Sequence, residues 1–183
     1  MTQQDVIQVG VSSCLLGEEV RFDGGHKRDR YVQNVLGEYF RLIPVCPEVA
    51  VGLGIPRQPI HLAERRQANG EKAIRVVGVK DDSLDVTQEL QDYADQTVGR
   101  LGGQISGYIL KSKSPSCGMA RVKVYSEKGM PGKSGPGAYA ERLMERLPNL
   151  PVEEEGRLND DVLRENFIQR VYVYHRWQKL VAD

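Results

Sequence analysis

Short apolar runs of the kind found in buried strands alternate along the chain with longer segments of helical periodicity. The β-rich runs that predict strands are 6–13, 41–46, 73–79 and 105–111. The segments with helical spacing are 28–40, 85–101, 138–147 and 160–181. Because strands alternate with helices, the pattern predicts a single α/β domain over residues 1–183, with a mostly parallel, Rossmann-like sheet flanked by helices.

The helical segments differ in how clearly they define a buried face. The long C-terminal helix has an apolar stripe, which predicts that it packs on the core: Leu163, Phe167, Val171 and Tyr174. In segment 28–40, apolar residues spaced by four indicate a face formed by Tyr31, Val35 and Tyr39. Segment 52–62 is interpreted as irregular, and the Gly/Pro-rich segment 127–138 as a mobile loop that could act as a lid.

Composition and charge narrow the class of protein. The chain has 183 residues and a formal net charge of zero, which argues against nucleic acid or an anionic membrane surface as partner. No apolar run approaches the roughly 20 residues that span a bilayer, and the N-terminal segment MTQQDVIQVG lacks the features of a signal peptide. We therefore expect a cytoplasmic monomer or homodimer.

Three cysteines follow predicted strands. Cys14 comes after the first strand, Cys46 ends the second, and Cys117 lies in a Ser/Pro/Gly loop beyond the fourth. An odd number of cysteines in a reducing compartment argues against a disulfide framework. Because the carboxyl ends of parallel strands share one edge of a sheet, the three thiols are expected to lie near one another.

Three thiols at one edge leave several interpretations open. A structural zinc site normally takes four ligands, often in CxxC pairs, and this chain has none, although His26 or His61 could complete a set. Three cysteines also suit a [4Fe–4S] cluster with one iron not bound by the protein. The third interpretation involves no metal, with the cysteines as small buried apolar residues.

Four segments together resemble the thiouracil desulfidase family, formerly a bacterial domain of unknown function: VSSCLLGEEVRFDGGHK, PVCPEVAVGLGIPR, YILKSKSPSCGM and LPVEEEGRLNDDVLRENFIQRVYVYHRW. The resemblance runs from Val11 to Trp177 and implies a [4Fe–4S] cluster held by Cys14, Cys46 and Cys117. It also implies the reaction, in which the open iron binds the sulfur of a thiolated pyrimidine base and thiouracil is converted to uracil and hydrogen sulfide.

The resemblance further implies two catalytic residues. An acid in CPE and a serine in SPSCG correspond to Glu48 and Ser114, with Ser112 and Ser116 as nearby alternatives for the serine. Conversion of C=S to C=O moves no net electrons, so the chemistry is hydrolytic and needs a base for water, the role expected of Glu48. Ser114 would relay a proton, or merely form the turn beside Pro115.

Two further groups of residues are expected to bind the substrate, a small thiolated nucleobase. Lys111 and Lys113 can stabilise developing negative charge, although loop lysines are often only solvated. Asp23, Gly24 and Gly25 can offer backbone N–H groups, or form a plain turn.

Two other functions stay open. One is sulfur insertion into tRNA or another acceptor, against which the neutral charge counts. The other is a non-catalytic metal-binding module in which the three cysteines hold zinc.

Overall fold

A computed structural model describes residues 6–182, so the first five residues of the N-terminal segment and Asp183 lie outside it. In chain order, the strands and α-helices are β1 (Gln8–Ser12), α1 (Gly37–Tyr39), β2 (Arg41–Val45), α2 (Pro47–Ala50), β3 (Ile60–Arg66), β4 (Lys72–Gly78), α3 (Thr87–Leu101), β5 (Ile105–Leu110), β6 (Val122–Tyr125), β7 (Pro131–Gly135), α4 (Ala138–Arg146), β8 (Val152–Glu154) and α5 (Asp161–Ala182). A π-helical segment, Tyr31–Leu36, leads into α1, and short 3₁₀ turns span Ser13–Leu16 and Arg157–Asn159.

The first sheet, sheet A, is entirely parallel in its described strands and has the order β2-β1-β5-β8. All six residues of β5 are buried, as expected for a central strand that is covered on both faces. The chain leaves β1 towards β2 on one side and later adds β5 on the other. The order therefore reverses beside β1, as in doubly wound α/β folds.

Helices cover sheet A on both faces. On one face, Tyr108 shares a core with Leu90 of α3 and Leu143 of α4. On the other, its neighbour Ile109 shares a core with Phe167 and Val171 of α5. The predicted α/β class, mostly parallel sheet and long C-terminal helix are confirmed.

Close contact between β5 and α5 depends on Gly107. A Cβ at this position would lie 2.7 Å from Cγ2 of Val171, inside normal contact distance. Absence of a side chain at this position therefore lets α5 pack directly on the strand.

A second, mixed sheet, sheet B, was not predicted. The predicted strand 73–79 is confirmed as β4, but it lies in sheet B, where it pairs antiparallel with β3, and not in the parallel sheet. Its order is β4-β3-β6-β7, with antiparallel β3/β4 and β6/β7 pairs and a parallel β3/β6 pair. Segment 52–62 is irregular only until Ile60, where β3 begins. The prediction that 127–138 lacks regular structure was wrong, because Pro131–Gly135 pairs with β6. Backbone pairing forms that strand although its side chains are mostly exposed.

The predicted apolar face of segment 28–40 was also wrong. Tyr39 and Val35 are 63% and 40% exposed, whereas Val32, Leu36 and Phe40 are buried. The buried face is thus displaced by one residue from the expected one, in a segment whose first part is π-helical. In α5 the predicted stripe is confirmed at Phe167 and Val171, both buried.

Among residues 6–182, no helix has both the length and the apolar character needed to cross a membrane.

Candidate functional site

The three cysteines lie at the carboxyl edge of sheet A. Cys14 is in the 3₁₀ turn that follows β1, Cys46 joins β2 to α2, and Cys117 lies in the loop after β5. Their strands are neighbours in the order β2-β1-β5, and the strand order reverses at this point. Ligands of open α/β sheets bind in this kind of crevice.

All three cysteines line one cavity of about 420 Å³. Other polar side chains on its wall include Glu48, Arg57, Lys111, Ser112, Lys113 and Ser114. Cys14 and Cys117 are buried and Cys46 is half-buried, and none of the three forms a disulfide. This arrangement agrees with the expectation that the three cysteines, although distant in sequence, lie at one edge of the sheet.

The thiols are poorly suited to remain charged on their own. Burial raises the pKa of Cys14 to about 11, against the opposing effect of the Lys111 ammonium. Burial also raises the pKa of Cys46, and it raises that of Cys117 well above its usual range, with a further contribution from Glu48. Binding a metal as thiolates would therefore release protons.

The donor set suits an iron–sulfur cluster. In the described part of the chain, no three His, Cys, Asp or Glu side chains converge closely enough to hold a single metal ion. In a [4Fe–4S] cluster each thiolate binds a different iron, so its ligands surround a cage and need not meet at one point. Three soft sulfur donors around one cavity are compatible with such a cluster in which one iron has no protein ligand.

Backbone hydrogen bonds hold the Cys117 loop in place. The N–H groups of Gly137, Ala138 and Ala140 donate to the carbonyls of Gly118 (2.8 Å), Pro115 (3.1 Å) and Ser116 (3.0 Å), respectively. A Cβ on Gly137 would lie 2.5 Å from the backbone carbon of Ser116, so only glycine permits this approach. The start of α4 therefore fixes the position of the third cysteine.

Ser114 lines the cavity and also shapes the loop. Its Oγ accepts hydrogen bonds from the backbone N–H groups of Ser116 (3.2 Å) and Cys117 (3.0 Å). The turn-forming role is therefore present, and the hydroxyl proton is still available for donation. A catalytic role for Ser114 stays a prediction.

The two alternative serines have other partners. Ser112 Oγ donates to Glu155 Oε1 at 2.7 Å. Ser116 is fully buried and donates to Glu48 Oε1 at 2.8 Å. Of the three serines, Ser116 is the one bonded to the expected catalytic acid.

Arg57 is a site residue that the sequence reasoning missed. Its Nη2 and Nε donate to Oε2 of Glu48 at 2.7 Å and 3.1 Å, and its side chain is only 5% exposed. Ser116 binds the other carboxylate oxygen, so Glu48 is fixed from both sides. The available signal was position, since Arg57 ends the segment PVCPEVAVGLGIPR that carries Cys46 and Glu48.

Glu155 was missed as well. It pairs with Lys111 Nζ at 2.5 Å and accepts the Ser112 N–H at 2.8 Å. Burial favours a raised pKa, but the hydrogen bonds from Lys111 and Ser112 outweigh it, so the pKa of Glu155 is lowered. Glu155 therefore holds Lys111 at the cavity wall as an ammonium paired with a carboxylate.

Lys113 is the second lysine that was expected to bind the substrate, and it differs from Lys111 in exposure and backbone conformation. Lys113 lines the cavity and is exposed, and its backbone is in the left-handed region with φ of 61°. That conformation is uncommon for residues other than glycine and often marks functional loops.

The loop after Cys14 contributes residues other than those expected. Asp23, Gly24 and Gly25 form a turn in which Asp23 Oδ1 accepts the Gly25 N–H at 3.1 Å, and they do not line the cavity. Their neighbours on the cavity wall are Arg21, Phe22 and Lys27. Substrate binding by residues 23–25 stays a prediction.

The histidines considered as a fourth zinc ligand do not line the cavity that holds the cysteines. His26 Nδ1 accepts the Arg28 N–H at 3.1 Å. His61, in β3, packs its ring against Tyr125 at 5.1 Å between centroids.

The chain is similar to known proteins in both sequence and fold. Residues 9–155 match the model of the 2-thiouracil desulfurase family. An uncharacterised protein of Bacillus subtilis, YbbK, is 30% identical over 155 residues, which cover 82% of this chain and 97% of that protein. The solved structure of TudS, a [4Fe–4S]-dependent thiouracil desulfidase, is 32% identical with a TM-score of 0.63, covering 87% of this chain and 98% of TudS.

Proposed function

Because the chain belongs to the 2-thiouracil desulfurase family, we propose that it is an enzyme that hydrolyses the C=S bond of a thiolated pyrimidine base. Its cofactor would be a [4Fe–4S] cluster bound by Cys14, Cys46 and Cys117. The observation that carries the proposal is that these three cysteines line the same cavity as the carboxylate of Glu48. The cytoplasm is the expected location, and a small molecule the expected substrate.

When bound through three thiolates, such a cluster would supply one iron without a protein ligand, a Lewis acid suited to thiocarbonyl sulfur. The net reaction exchanges sulfur for oxygen at one ring carbon. The oxygen of water bonds to that carbon, the C–S bond breaks, and both protons of the water leave with the sulfur as hydrogen sulfide. No electron is gained or lost, so the chemistry is hydrolytic.

Glu48 is the proposed base that takes a proton from the attacking water. Arg57 and Ser116 bind its two oxygens, so the carboxylate cannot rotate freely away from the cavity. A base held in one orientation is more effective than a mobile one, because less entropy is lost when the transition state forms. Ser114 would pass a proton to the leaving sulfur or to the substrate ring. Lys111 would stabilise negative charge that develops on the substrate.

The test starts with metal content. After anaerobic purification and reconstitution, about four irons and four acid-labile sulfides per chain are expected. Stoichiometric zinc without sulfide would overturn the proposal in favour of a metal-binding module.

Substrate class is tested next by measuring sulfide release from 2-thiouracil, 4-thiouracil, their nucleosides and thiolated tRNA. Release from the free bases supports the proposal. If the loaded protein released no sulfide from any of them but transferred sulfur to tRNA, the sulfur-insertion alternative would replace it.

Ser114→Ala is expected to retain the cluster and to slow desulfuration about 100-fold, near the lower end of what a positioned proton donor contributes. Ser112→Ala is the matched control. It should have a much smaller effect, because Glu155 still binds the Ser112 N–H and Lys111. Turnover is measured per bound cluster, with cluster content read from absorbance and iron analysis. A decrease in rate that merely follows cluster loss would return Ser114 to its turn-forming role.

A further inference from the structure

The buried Arg57 side chain makes more contacts than pairing with Glu48 requires. Beyond its two bonds to Glu48, Nη2 donates to the carbonyl of Val20 at 2.9 Å and Nη1 to that of Gly54 at 2.8 Å. The backbone N–H of Arg57 also donates to the carbonyl of Phe22 at 2.9 Å. One residue thus binds a carboxylate, a carbonyl of its own loop and the loop that follows Cys14.

These contacts connect the segments that carry all three cysteines. Val20 and Phe22 belong to the loop that follows Cys14, and Glu48 lies two residues beyond Cys46. Glu48 in turn accepts the hydroxyl of Ser116, the residue directly before Cys117. A continuous chain of hydrogen bonds therefore runs from the Cys14 loop through Arg57 and Glu48 to the Cys117 loop.

We propose that Arg57 is a positioning residue that fixes the three cysteine-bearing segments relative to one another and orients Glu48 towards the cavity. The inference rests on the proposed function, since it concerns the same cluster site. Partners that orient metal ligands from outside the coordination sphere commonly change metal affinity or activity by about 10- to 100-fold when they are removed.

Arginine suits this role because of its shape. The planar guanidinium carries five donors in a fixed fork, and here it reaches one carboxylate oxygen and two carbonyls at the same time. A lysine ammonium can keep the charge opposite Glu48, but it cannot span both carbonyls. Arg57→Lys is therefore expected to keep the ion pair with Glu48 and to lose the contacts with the loop carbonyls, whereas Arg57→Gln removes the ion pair and weakens the loop contacts.

The experiment measures each thiol in the metal-free, full-length chain. Arg57→Lys, Arg57→Gln and Ser116→Ala are treated with a thiol reagent, and the modification rates of Cys14, Cys46 and Cys117 are followed by peptide mass spectrometry. Arg75→Lys is the matched control, because Arg75 forms an ion pair of 2.7 Å with Asp85 and does not line the cavity. Parallel samples are reconstituted, and iron loss to a chelator is timed.

Each variant has its own expected pattern. Arg57→Lys should speed modification of Cys14, and Ser116→Ala that of Cys117. Arg57→Gln should speed all three about 10- to 100-fold, because opening of the loops no longer breaks charge-assisted hydrogen bonds. Iron loss from Arg57→Gln should quicken by a similar factor, and kcat per bound cluster should fall with little change in KM. Arg75→Lys should behave like the unmodified protein.

Unchanged thiol rates in Arg57→Gln and Ser116→Ala would overturn the inference, as would equal acceleration of all three thiols in every variant, the control included. If Arg57→Gln does not fold, the thiol modification rates of Arg57→Lys and Ser116→Ala still test the inference. If the unmodified protein binds no cluster, the proposed function fails, while the thiol rates still show whether Arg57 fixes the three segments.

Discussion

Cys117→Ala is expected to yield a folded protein that cannot assemble a complete [4Fe–4S] cluster and releases no sulfide above background. The chain has three cysteines, so no other thiol can replace the lost ligand. The loop itself cannot shift to compensate, since the start of α4 binds three of its carbonyls. Cys14→Ala and Cys46→Ala should give the same result.

The measurement combines iron and sulfide content with sulfide release, after identical reconstitution of each variant and the unmodified protein. Circular dichroism and the melting temperature of the metal-free proteins serve as the control, because cluster loss through unfolding would appear there. A single variant with full cluster content and full turnover would show that its cysteine is not a ligand.

Glu48→Gln should keep the cluster and lose about 10²- to 10⁴-fold in kcat, the usual contribution of a general base. The amide has the shape of the carboxylate, so its oxygen can accept from Arg57 while its NH₂ group meets the Ser116 hydroxyl, which can accept. The site should therefore stay assembled while the basic group is gone.

Glu64→Gln is the matched control, since Glu64 pairs with Lys72 on sheet B and does not line the cavity. Both variants are compared by turnover per bound cluster. Near-normal turnover in Glu48→Gln would remove Glu48 from the mechanism and leave it with the linking role described for Arg57.

The sequence predicted the part of the site that depends on regular secondary structure. Buried strands such as Ile105–Leu110 are short, mostly apolar runs with clear ends, so the placement of Cys14, Cys46 and Cys117 at strand ends could be inferred. Helices between them implied parallel strands, and parallel strands share one carboxyl edge.

Sheet B could not be predicted in the same way. The strand Pro131–Gly135 contains two glycines and a proline and is mostly exposed, so it shows neither the alternation nor the β-branched content typical of strands. Its pairing with β6 is decided by backbone hydrogen bonds between chain segments, which leave no periodic mark in the sequence.

Long-range contacts also explain why Arg57 and Glu155 were not predicted as site residues. Arg57 reaches Val20 across 37 positions, and Glu155 reaches Lys111 across 44. Contacts of this separation depend on how the loops pack above the sheet. From the sequence alone, each residue stood out only because it lies in one of the four segments that carry the family resemblance.

The placement of the cysteines after three separate strands also decides whether the site can be moved to another protein. A metal site built on a CxxC pair can be copied as a short peptide, because neighbouring residues supply the geometry. Here the geometry is supplied by the order β2-β1-β5 and by the start of α4. A transplant would have to carry the sheet with it, whereas turns at the opposite, amino-terminal edge of sheet A could be lengthened or exchanged without touching any of the three cysteines.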